Sequence, residues 1–154
     1  MNIAERTSIY GVYTFTIRHA ATGATLRTYK YKNIVPTVAR TMIANNLTSA
    51  TPTHPMVIKH CALGTNATAP ANADTQLGTE TYRNAIASVT NSSNIAYATG
   101  FFSAAEVSGT FAEAGIFADS TGMANSGVLV SHVALSVTKS TSETLTLDWT
   151  LTIS

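Results

Sequence analysis

Three features of the sequence predict an all-β fold, an antiparallel β-sandwich (jelly-roll or Ig-like) of about eight strands with one short α-helix. The C-terminus alternates strictly, with Leu145, Leu147, Trp149, Leu151 and Ile153 set against Thr144, Thr146, Asp148, Thr150 and Thr152. That period of two is the mark of a half-buried strand. Other short apolar segments recur along the chain, each closed by turn residues. Only one segment has a helical rhythm, so the βαβ order that builds parallel sheets is missing.

The elements follow in chain order. Residues 1–9 form an N-terminal arm. Strands are expected near 10–19 and 25–33, joined by the turn "ATGA" with Gly23 free to take positive φ. "PTVARTMIANNL", 36–47, breaks the alternation. Val38, Met42 and Leu47 fall on one stripe with Ala39 and Ile43 beside it. Pro36 suits a first helical turn and Asn45–Asn46 a C-terminal stop, so the helix is placed there. Further strands are expected near 56–63, 83–90, 95–105, 110–119 and 128–138, before the C-terminal one. The stretch 64–82, rich in small polar residues, is a long connection. No linker divides the chain, which is expected to be a single domain over 1–154.

Composition narrows the function. Of 154 residues, 45% are apolar but only 11% charged, with a formal net charge of +1. Soluble domains usually carry about 25% charged residues, so Thr, Ser, Ala and Asn keep this surface wet instead. No global field draws the chain to nucleic acid or to an anionic membrane. A weakly charged surface suits a protein that ends in an assembly. Cys61 is the sole cysteine, which excludes an intrachain disulfide and a cysteine-based zinc site. The start, "MNIAERTSIYGVYTF", lacks a signal-peptide core, and no apolar run is long enough to cross a bilayer as a helix. Synthesis in a cytosol without export is the expectation.

Motifs for chemistry are sparse. The glycine-containing loops lack both the P-loop ending and the dinucleotide-binding spacing. His19, His54, His60 and His132 show no metal-binding spacing, and they are read as surface or hydrogen-bonded side chains. Asp74 and Glu80 fall short of a calcium loop, and Asp74 is read as a turn or cap residue. No nucleophile elbow is present. In "RTYKYK", Tyr29 and Tyr31 share one strand face with Arg27 while Lys30 and Lys32 take the other, which splits any nucleic-acid stripe. No catalytic residue, metal or cofactor is therefore assigned.

One charge stands out. In "GTFAEAGIFADSTG", strand parity puts Glu113 on the face of Phe111 and Phe117. Such a carboxylate is either chemistry or a structural tie. Burying it unpaired costs several kcal/mol, so a partner is demanded, and Arg83, able to grip with two hydrogen bonds, is a candidate. No second acid or nucleophile is indicated nearby. The tie is the preferred reading, with Glu113 pinning the 64–82 connection onto the sandwich.

Three stretches, taken in order, carry a resemblance. They are "TFTIRHAATGATLRTYKYKNIVPTVARTMIANNL", "CALGTNATAPANADTQLGTETYR", and "GTFAEAGIFADSTG" with the later "TLTLDWTLTIS". Together they resemble small β-sandwich virion proteins of tailed bacteriophages, of the tail-fibre-like or tail-appendage kind, over roughly residues 10–154. The chain departs from that pattern at Asn66, where a second glycine is usual. The resemblance implies a contact between Glu113 and a basic residue at Arg83 or Lys139. It also implies a non-enzymatic virion component, a homo-oligomer with a trimer as the expected form, placed in a tail appendage, a fibre or a fibre anchor. A capsid decoration (cement) protein is the alternative placement. Recognition of a host receptor or surface glycan through exposed Tyr29, Tyr31 or His54 is the third reading. Other virion proteins are the expected partners, with neither nucleic acid nor membrane among them.

Overall fold

The computed structural model describes residues 8–154. Its nine strands are β1 (Ile9–His19), β2 (Thr25–Asn33), β3 (Ile58–Gly64), β4 (Glu80–Ala85), β5 (Ser88–Ser92), β6 (Ile95–Phe102), β7 (Gly109–Ala118), β8 (Val128–Lys139) and β9 (Glu143–Ile153). One helix, α1 (Thr37–Thr48), lies between β2 and β3. The strands form two antiparallel sheets, a five-stranded one in the order β2-β1-β9-β6-β5 and a four-stranded one in the order β4-β3-β7-β8. The all-β sandwich is thus the fold.

The alternation of β9 explains its place at the centre of the larger sheet, between β1 and β6. Leu145, Leu147, Trp149 and Leu151 point inward and are buried, while the threonines between them face outward. Trp149 Nε1 donates to Ser131 Oγ at 3.1 Å and the Tyr13 hydroxyl donates to the Ser131 carbonyl at 3.4 Å, tying the two sheets across the core. Each large apolar side chain buried in this way contributes about 1.5–3 kcal/mol.

Where the sequence suggested a strand over 83–90, the chain forms two, in different sheets. The Ile86 amide donates to Lys59 O of β3, and the next amide, Ala87, donates to Thr99 O of β6. The backbone steps between sheets inside what reads as one extended run. In α1, Ala39 and Met42 are buried, but Leu47 is 82% exposed, and Pro36 caps the helix from outside instead of entering its first turn. Of the expected arm, Ser8 and Ile9 already pair with Ser154 and Ile153. Residues 1–7 lie outside the described ones.

The smaller sheet is buried on both faces. Its inner face joins the main core through Leu63, Ala114, Ile116 and Val133. Its outer face holds Ala62, Phe117 and Leu129, roofed by the 65–79 connection, which packs Leu77 on them, and by Val38 of α1. That roof positions the candidate site.

Candidate functional site

Glu113 is 1% exposed and lies on the outer face of β7, under the roof. The simple parity reading is half right. An irregularity in the β7–β8 pairing between Phe111 and Glu113 breaks the alternation. Phe111 therefore turns into the main core while Glu113 shares its face with Phe117 alone.

The carboxylate is saturated with donors. Its Oε1 accepts the Thr79 amide at 2.7 Å and the Asn66 amide at 3.3 Å. Its Oε2 accepts the Gly78 amide at 2.9 Å and faces His132 Nε2 at 3.0 Å. The other ring nitrogen of His132, Nδ1, lies 2.8 Å from Asp74 Oδ2, which also accepts the Ala71 amide at 2.7 Å. An acid oxygen thus faces each nitrogen of the ring. The chain Glu113–His132–Asp74 borders a shallow cleft of about 290 Å³ under the connection.

Glycines make the room. A Cβ on Gly64 would stand 2.5 Å from Glu113 Oε1, and one on Gly115 would meet Leu129 and Leu77 at 2.8 and 3.0 Å. The two Leu-Gly-Thr stretches, at 63–65 and 77–79, lie side by side, with the Thr65 amide bonded to Thr79 O at 3.0 Å. Glu113 thus holds both ends of the connection to the sheet. Asn66, where the resemblance expects glycine, contributes its amide here and accepts the Thr68 amide on Oδ1 at 2.8 Å.

The expected basic partners are elsewhere. Arg83 grips Glu80 with Nε–Oε1 at 2.7 Å and Nη2–Oε2 at 2.8 Å, both side chains almost fully buried. Its guanidinium lies 4.0 Å over the Phe117 ring and donates to Ser126 O at 3.0 Å. Glu80 also accepts the Asn125 amide, so this pair fastens the 119–127 loop. Arg83 is spent before it can reach Glu113. Lys139 pairs in register with Gly109, at the far end of β7, and its Nζ donates to Val107 O at 2.9 Å. Burial pulls its ammonium below the ordinary lysine range.

Tyr29 and Tyr31 share a face as expected, but it is the inward one. Both are half-buried against the core, with ring centroids 6.5 Å apart, and the Tyr31 hydroxyl donates to Ser136 O. They are not an exposed binding pair. His54 is exposed, in the loop before β3, with Nδ1 at 2.9 Å from Asp119 Oδ2. His60 Nδ1 lies 2.8 Å from Ser120 Oγ, but that serine is 5% exposed. Asp74 plays the local role expected, bonding the Ala71 amide, and has a second role beside His132.

His132 is the member of the centre that sequence reasoning did not single out. Its signal was present: it is the one histidine inside the apolar run "VLVSHVALSV", on the strand that pairs with the one carrying Glu113. Among the described residues no cluster of three or more His, Cys, Asp or Glu is arranged to hold a metal ion. No helix of the described chain is long and apolar enough to cross a membrane. Compared with protein-family models, with curated proteins and with solved structures, the chain matches none.

Proposed function

We propose that this chain is a non-enzymatic structural protein of a tailed-phage virion, built into the tail as an appendage, fibre or fibre anchor and working through protein–protein contacts. The observation that carries the reading is the inward use of its acidic centre. Both oxygens of Glu113, both nitrogens of His132 and Oδ2 of Asp74 are committed to bonds within the chain. The groups best suited to chemistry are holding a loop on a sheet. The resemblance in the ordered stretches supplies the virion setting. A broad outer face on the five-stranded sheet, with Thr146, Thr150 and Thr152 at its centre, supplies surface for neighbours.

Copurification tests the placement. A tail component accompanies tails purified from a mutant that makes no heads. A capsid decoration protein adds instead to preformed capsids at lattice sites and raises their heat resistance. A chain that accompanies neither overturns the virion reading.

A second reading, recognition of a host-surface glycan, is favoured by one observation. Tyr97 and Phe101, 37% and 45% exposed, stand on the outer face of β6 beside the hydroxyls of Thr99 and Thr150. Aromatic faces next to hydroxyls suit sugar rings, and these two replace Tyr29 and Tyr31 in that role. Free protein would then adsorb to host cells and the Tyr97→Ala, Phe101→Ala variant would not. Equal adsorption by both removes the glycan reading.

A further inference from the structure

β5 closes one side of the larger sheet, and only β6 pairs with it among the described residues. It reads Ser-Val-Thr-Asn-Ser, and each of these residues is exposed. A bare edge is a template for another strand, so folded proteins guard their edges with charge, proline, bulges or cover. The other edges of this sandwich have such guards. β2 presents Lys30 and Lys32 to solvent. β8 is bridged by Ile34, whose backbone exchanges bonds of 3.0 and 3.2 Å with His132. β4 carries the charged pair Glu80 and Arg83. β5 has no charge and no proline, and among the described residues it has no cover.

The direction of its free backbone groups follows from the register. Ser92 faces Ile95 across a two-residue turn, and Thr90 faces Tyr97. The pair flanking such a turn is hydrogen-bonded, and every second pair after it is too. The N–H and C=O groups of Val89 and Asn91 therefore point away from β6. Beneath them the two sheets part around an apolar groove of about 470 Å³, with Trp149 and Leu151 at its floor. Val57 and Val89, 54% and 51% exposed, stand at its mouth.

We propose that β5 pairs with β5 of a second copy, antiparallel across a twofold axis, so that the larger sheet runs on from one copy into the next. The edge is complementary to itself. With Thr90 on the axis, Val89 of each copy faces Asn91 of the other, and the outward N–H of each donates across. A slip of two residues in either direction leaves one of those pairings unmade. Thr90 then faces Thr90, a favourable cross-strand pair. The Val89 side chains, in register with buried Ala98, turn inward and cover the groove mouth. Because β5 is uncharged, the two paired strands set no like charges opposite each other. This contact deepens the assembly reading and rests on that reading only for its biological setting. It is twofold, and so separate from the threefold contact that the resemblance implies.

The test uses the purified full chain. Light scattering after size exclusion at about 100 μM, well above the micromolar Kd of weak specific interfaces, gives the mass. The expected result is twice the chain mass, with slow hydrogen exchange at the Val89 and Asn91 amides. Val89→Lys puts a charge on each edge and is expected to halve the mass, leave the circular dichroism unchanged and speed exchange at Asn91. Should that variant fail to fold, Asn91→Pro decides, because it removes an outward N–H without removing a β5–β6 bond. A wild-type chain of monomer mass overturns the contact, as does an oligomer whose mass the folded variants leave unchanged. Either result leaves the virion reading to copurification, and absence from particles leaves the pairing to light scattering.

Discussion

Replacing Glu113 by glutamine keeps the side chain's shape and removes one of two acceptor oxygens. If the new amide nitrogen takes the place of Oε1, it confronts the Asn66 and Thr79 amides; in place of Oε2, it confronts the Gly78 amide and His132. The first orientation breaks two bonds and the second breaks the Gly78 bond, because His132 Nε2 can accept from the new amide; each sets donor against donor in a site 1% exposed. The loss of negative charge also leaves His132 with only Asp74. Hydrogen bonds to charged groups contribute about 1.5–3 kcal/mol, and a buried donor left unsatisfied costs about 1–3 kcal/mol. Glu113→Gln should therefore lose roughly 3–5 kcal/mol, which for a chain of this length lowers Tm by about 8–15 °C. Thermal unfolding followed by circular dichroism reads the shift, and limited proteolysis should show early cutting within 65–79. A Tm within about 2 °C of wild type, the range of an ordinary surface substitution, would refute the tie.

Other outcomes follow from the same contacts. Arg83→Lys cannot keep two bonds to Glu80 while stacking on Phe117, so it should lose about 1.5–3 kcal/mol and expose the 121–126 loop to protease. Unchanged stability and cutting would contradict that assignment. The Cys61 thiol is fully buried and burial pushes its pKa up to about 12. A thiol reagent at about pH 8, where a free cysteine is partly thiolate, should leave it intact until the chain is unfolded in urea. Stoichiometric reaction of the native protein would contradict its burial.

Acid should destabilise the fold through two carboxylates. The hydrogen bond to His54, then that to Lys59, holds Asp119 below its ordinary value, and the Ser140 amide followed by Arg27 does the same for Glu143. A carboxylate depressed in the folded state stabilises above its unfolded pKa, near 4, and that stability is lost as pH falls through the folded value. Tm measured against pH should be level above about pH 5 and fall below about pH 4. A Tm that rises on acidification through that window contradicts the sign.

How much of this was legible in the sequence depended on what each contact is made of. β9 could be read from Leu145 to Leu151 because alternation and burial coincide there, although Ile153, counted with them, is 47% exposed at the strand's end; the Thr-Gly turn between β1 and β2 announced itself. The step between sheets at Ile86–Ala87 could not be read, since it changes hydrogen-bond partners without changing residue type. At the acidic centre, burial of Glu113 and its need for partners were legible from one charge inside an apolar strand. Their identity was not. Three of its four partners are backbone amides, which every residue except proline owns and no sequence advertises. The irregularity beside Ala112 also moved Phe111 off the face that parity gave it. Arg83 looked available because regular alternation puts residues three apart on opposite faces of a strand, whereas the irregularity between Glu80 and Tyr82 brings Glu80 into its grip.

A reconstruction of the phage particle with this chain carrying an epitope tag tests the central claim most directly. The account predicts copies of the sandwich in the tail, in contact with other virion proteins and with the acidic centre closed inside each copy. Particles that lack the chain, with the tagged protein left free in the lysate, would contradict it.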